Sequence, residues 1–171
     1  KRSSSVVAWT PTQLHSLWGW FKSDTDVITD GSKVLQWTNL TGSGVDLIQG
    51  TDVQKPGLTT NQINGYPTIV FDGIDDFLVT PPAVLAQPRT IFIVFKQVSW
   101  TANDTIYDGA LPNSARLFQL TGTPNLGTYA GSFGPESSDL AIDTFDAWVV
   151  FDLSDAISRQ LSNLPMGELL L

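Results

Sequence analysis

The most strongly apolar stretch of the chain, Arg89 to Val98 (RTIFIVFKQV), is hydrophobic at both alternating sets of positions: Ile91, Ile93 and Phe95 on one side, Phe92 and Val94 on the other. Apolar residues on both faces mark a strand covered on both faces, so this segment is the expected centre of the core. Other strand-length runs of β-branched and aromatic residues are VLQW (Val34 to Trp37), VDLI (Val45 to Ile48), YPTIVF (Tyr66 to Phe71), DFLV (Asp76 to Val79), ARLFQL (Ala115 to Leu120) and AWVVFDL (Ala147 to Leu153). Between Asp24 and Gly65 the runs are short and turn-formers dominate, with Asp30-Gly31, Gly42-Ser43-Gly44 and Asn64-Gly65 as punctuation. Short strands joined by long loops are expected there. Gly73 permits a tight turn between Tyr66–Phe71 and Asp76–Val79, which predicts that these two runs pair as a hairpin.

Near the N-terminus Thr10-Pro11 predicts a short turn or a single helical turn, because Thr caps and Pro suits the first helical position. The following LWGWFK, Leu17 to Lys22, reads at period two as a strand buried on both faces, with a helix as the competing reading. Residues 1–16 are read as a lead-in and 17–171 as one domain. No repeat, heptad or low-complexity tract interrupts it.

Composition narrows the function classes. Acids outnumber bases 17 to 9, the net charge is −8 and no Lys/Arg cluster stands ready to neutralise phosphates, so nucleic-acid binding is not expected. Glu136 and Glu168 are the sole glutamates, and the remaining acids are Asp, which suits turns and oxygen-ligand cation sites. The absence of Cys removes thiol chemistry, and the single His15 rules out a multi-histidine metal site. No apolar run approaches the roughly 20 residues that span a bilayer, so membrane insertion is not expected, and the opening KRSSS holds no signal-peptide core.

The stretches DGSKVLQWTNLTGSGVDLIQ and KPGLTTNQINGYPTIVFDGIDDFL, with Phe71, Asp72, Gly73, Asp75, Asp76 and Phe77 forming a phenylalanine-aspartate-glycine step into an acidic pair, resemble the laminin G-like, pentraxin-like branch of the concanavalin A-like lectin/glucanase superfamily. The resemblance implies an all-β fold, an antiparallel two-sheet jelly-roll sandwich, whose closing strand is expected to be missing after residue 171 or supplied from elsewhere. It also implies a non-catalytic binding module, extracellular or on a virion surface, that recognises carbohydrate or other protein subunits of a larger assembly. A purely structural capsid or fibre decoration module is the alternative. A glycoside hydrolase is a third, disfavoured because Glu136 and Glu168 are isolated in sequence and a retaining mechanism needs a carboxyl pair about 5 Å apart. No nucleophile elbow accompanies His15, and no phosphate-binding glycine loop occurs.

Of the six tryptophans, Trp20, Trp37 and Trp148 alternate with apolar neighbours and are expected inside, whereas Trp100 enters the polar loop TANDT and is the best candidate for an exposed ring. With Trp100, the candidate ligand-binding residues are Asn103, Asp104, Tyr107, Asn113 and Tyr129, all in or near loops rich in Gly, Ser and Asn. Asp72, Asp75 and Asp76 offer carboxylates to Ca2+, with turn capping as the bland alternative. Sequons at Asn39 and Asn103 carry little weight, since such triplets arise by chance.

Overall fold

The computed structural model describes residues 10–83, 90–109, 116–121, 126–129, 149–154, 157–160 and 168–170, with backbone alone for 128–129 and from 149 onward. Among them the chain is strands in antiparallel sheets. The sole helical pieces among the described residues are 3-10 turns at Pro11–Gln13 and Asp52–Gln54. No helix among the described residues is long and apolar enough to cross a membrane. The first turn forms where Thr10-Pro11 predicts it: Gln13 N–H donates to the Thr10 carbonyl, and the Gln13 side chain reaches back to the Thr10 N–H at 3.2 Å.

Strands β1 (Trp20–Lys22), β2 (Val27–Asp30), β3 (Lys33–Trp37), β4 (Leu47–Ile48), β5 (Gly57–Ile63) and β6 (Tyr66–Val70) come from the first half of the chain. Then follow β7 (Phe92–Phe95), β8 (Thr105–Asp108), β9 (Arg116–Gln119), β10 (Leu126–Tyr129), β11 (Val149–Ser154), β12 (Ile157–Gln160) and β13 (Glu168–Leu170). They form three sheets, ordered β1-β13-β7-β11-β12, β10-β9-β8, and β2-β3-β5-β6 with β4 paired to β3.

The apolar β7 lies between β13 and β11, as a strand apolar on both faces should. Ile91 and Ile93 are buried and cluster with Leu117 of β9 and Leu126 of β10; Phe95, Trp100, Ile106 and Tyr107 pack around them. This cluster joins the first sheet to the three-stranded one. On the other side Phe21 of β1, wholly buried, meets Trp37 of β3 edge to face at 5.7 Å, and the Trp37 indole N–H donates to the Lys22 carbonyl. LWGWFK is therefore a strand where it is ordered into the sheet, and the helical reading falls.

Two polar anchors hold the turn-rich first half. Asn39, 4% exposed, accepts from the Trp20 N–H, the Thr41 N–H and the Thr41 hydroxyl, and donates to the Trp18 and Val45 carbonyls and Ser43 Oγ. Every hydrogen-bonding position of its amide is used. Its own N–H donates to Asp46. Lys55, 6% exposed, places its ammonium 3.1 Å from Asp30 and 3.4 Å from Asp52, and the hydrogen bond it donates to Asp30 leads in raising its pKa above the ordinary lysine value.

Two expectations are corrected. Tyr66–Val70 does not pair with DFLV across Gly73; it pairs with β5 across the Asn64-Gly65 turn, where both residues have positive φ, 48° and 86°. The DFLV segment instead forms a single bridge from Val79 to Ile48, and Phe77 N–H donates to the Gln54 carbonyl. β5 occupies a stretch expected to be largely loop, and Phe71 at the end of YPTIVF is 47% exposed.

Candidate functional site

Of the residues proposed for ligand contact, Trp100, Asn103 and Asp104 lie in the loop that enters β8 at one end of the three-stranded sheet, whereas Tyr107 lies along β8 and Tyr129 at the opposite end of the sheet. Register places Thr105 opposite Phe118, Tyr107 opposite Leu117 and Asp108 opposite Arg116, with a bulge between Thr105 and Tyr107; β10 then sets Tyr129 opposite Arg116. Asp108, Arg116 and Tyr129 thus form one row across the sheet. Asn113 lies outside the described residues.

Strand β9 and Leu120 just after it secure the loop with six hydrogen bonds. The Trp100 indole donates to the Leu120 carbonyl at 2.9 Å, and the buried Gln119 side chain accepts the Thr101 N–H at 2.6 Å. The Gln119 backbone accepts from Asn103 N–H and donates to the Asp104 carbonyl, both at 2.8 Å. Arg116 completes the set: Nη2 donates to the Asn103 carbonyl at 2.6 Å, while Nε donates to Thr105 Oγ1 at 2.8 Å. Its guanidinium carbon stands 4.5 Å above the Phe118 ring, and Nε is 4.0 Å from an Asp108 oxygen. A planar cation held at this many points has little rotamer freedom left to lose, so the loop is fixed before any ligand arrives.

Trp100 is thereby relocated: its ring is half-buried against the Ile91, Ile93, Leu117 and Leu126 cluster, and its N–H is already used. The exposed groups are Asn103, held at φ 71°, with Thr101, Thr105 and Asp108; Asp104 and Tyr107 are half-buried. A short polar residue tolerates that left-handed conformation best after glycine. Arg116 was not among the candidates from sequence. Its signal is weak but present, a lone cation at the start of ARLFQL whose alternate neighbour Phe118 shares its face.

The acidic trio forms a second place of interest. Carboxylate oxygens of Asp72, Asp75 and Asp76 lie within 4.8 Å of one another. Asp72 Oδ1 accepts from the N–H groups of Ile74, Asp75 and Asp76, and Asp76 Oδ2 accepts the Asp72 N–H. The Ile74 bond is the largest cause of a lowered Asp72 pKa. Turn capping thus accounts for most of the lone pairs facing the backbone. A Ca2+ ion takes 6–8 oxygens, so the three carboxylates would need further donors around them.

Other candidates are placed without being gathered. His15 is exposed on the lead-in, remote in sequence from any serine-centred motif. Asn39 is locked in its network, so its sequon offers no free amide, whereas Asn103 stands open. Compared with known proteins, the chain matches no family description, no curated protein and no solved structure.

Proposed function

We propose that the chain is a non-catalytic binding module with a jelly-roll sandwich fold of the laminin G-like kind, which recognises glycan on a surface outside the cell or from a virion. The observation that carries this reading is the loop Trp100–Thr105 braced by Arg116 and Gln119, which presents Asn103 and Thr105 where it enters β8, with Asp108 exposed at the far end of the same short strand. Fixed hydroxyl, amide and carboxylate groups beside a sheet suit the hydroxyls of a sugar, and rigidity lowers the entropy lost on binding. A glycan array probed with and without calcium is the test. Binding that Arg116→Ala weakens supports the reading; a null array under both conditions removes it.

A second reading, a structural module of a larger assembly, is favoured by a different observation. Ile28, Gln36, Ile48 and Val79 lie in one register row across the β2-β3-β4 sheet, and Ile28, Ile48 and Val79 are 41–50% exposed. Phe71 and Phe77 are further apolar side chains left 47% and 45% exposed. Contiguous patches of this kind are the usual mark of subunit contacts. Sedimentation over a wide concentration range checks it, and a strict monomer throughout would leave the glycan reading alone.

A further inference from the structure

The β5–β6 hairpin carries a feature that neither the braced loop nor the acidic turn explains. Between the cross-strand pairs Thr59↔Thr68 and Ile63↔Tyr66, β5 sets Thr60, Asn61 and Gln62 against Pro67 alone. Proline has no N–H to give the ladder and is tolerated in sheets at edges and bulges; here it lies on the edge strand β6 and its carbonyl accepts from Ser23 Oγ at 2.7 Å. The extra residues are thrown outward. Asn61 turns through φ 54°, a conformation glycine would take without strain, and the turn adds Asn64 at φ 48°. Thr60, Asn61, Gln62 and Asn64 are exposed, as is half of the Tyr66 ring, while Ile63 at 4% exposure anchors the tip from beneath.

No charged residue occurs from Pro56 to Phe71, in a chain whose net charge is −8. Ionic partners find nothing to pair with at this tip. Exposed amides and hydroxyls on the same hairpin tip as an exposed phenol instead match what sugars require: a flat ring for the C–H face and adaptable donors and acceptors for hydroxyls.

We propose that the β5–β6 tip, through Tyr66, Asn61 and Gln62, is a contact surface for a neutral oligosaccharide. This rests on the glycan-binding reading and assigns the ligand class. The test is titration of the protein with neutral gluco-, galacto- and manno-oligosaccharides and with their sialylated and sulfated counterparts, comparing wild type, Tyr66→Ala, Asn61→Gly and Arg116→Ala. The expected result is binding of a neutral sugar that Tyr66→Ala weakens about tenfold or more and Asn61→Gly several-fold, roughly the span of one lost stacking contact. Asn61→Gly keeps the backbone conformation, so an unchanged melting temperature shows that the loss is not unfolding. If Arg116→Ala weakens binding while both hairpin variants bind as wild type, the glycan reading stands and the hairpin surface is rejected. Preference for the sialylated or sulfated sugars rejects the neutral class, and no binding of any sugar rejects the glycan reading together with this one.

Discussion

Single side chains here do the work that long secondary structure does elsewhere. Asn39 replaces a run of ladder bonds between β1 and the turn at Thr41–Val45, and its burial leaves no water to substitute for it. Asn39→Ala would strand the Trp20 N–H and the Trp18 and Val45 carbonyls, and buried unsatisfied groups cost about 1–3 kcal/mol each. A loss of roughly 3 kcal/mol is expected in denaturant unfolding, and a loss below about 1 kcal/mol would mean the network contributes little. Asp72 makes a smaller, titratable contribution. Its folded pKa is lowered by the N–H bonds from Ile74, Asp75 and Asp76, so it stabilises the turn above the ordinary aspartate range, near the unfolded value of 3.8. That contribution disappears as pH falls through the lowered folded value. Carboxyl NMR titration should show Asp72 ionising below ordinary aspartates, with exchange protection of the Ile74–Asp76 amides lost at the same pH. An Asp72 that titrates at the ordinary value would show that the bonds are not formed in solution.

At the scale of elements, legibility followed burial. The segment Ile91–Phe95 is readable because both of its faces meet protein, and ARLFQL yields a strand at Arg116–Gln119 for the same reason; AWVVFDL also yields one, at Val149–Ser154. Strand β5, GLTTNQI, is not readable, since only Ile63 along it is buried and its polar side chains mimic a loop. The pairing of YPTIVF is likewise not legible: two turn signals flank it, and Asn64-Gly65 closes the hairpin while Gly73 belongs to an aspartate-capped turn. The candidate site depends on an element detail of its own. Gly127 of β10 lies opposite Phe118, and a methyl there would approach the ring to 2.8 Å. Gly127→Ala should therefore tilt Phe118, on which Arg116 stacks, destabilising the protein by about 1–3 kcal/mol as over-packing does. It should also lower ligand affinity along with Arg116→Ala. Full affinity in Gly127→Ala would separate the ring from the loop it supports.

For the molecule as a whole, the core among the described residues is divided. Phe21 is fully buried apart from the cluster that holds Leu117, also fully buried, whereas Phe71 keeps 47% of its surface in contact with solvent. Phe21→Ala and Leu117→Ala should each cost about 2–5 kcal/mol, and Phe71→Ala well under half of that. Equal losses measured by thermal or denaturant unfolding would place Phe71 inside, against the described packing. The all-β class follows from the sequence by itself, because period-two hydrophobic runs, turn pairs and low charge are local properties that leave little room for helices. Composition alone also removed thiol and multi-histidine chemistry. Tertiary structure decided the rest: strand partners, the half-burial of Trp100, the Arg116 brace and the closed network of Asn39. Each of those depends on residues distant along the chain meeting across a ladder, and hydrophobic periodicity records which face a residue takes but not which partner stands opposite.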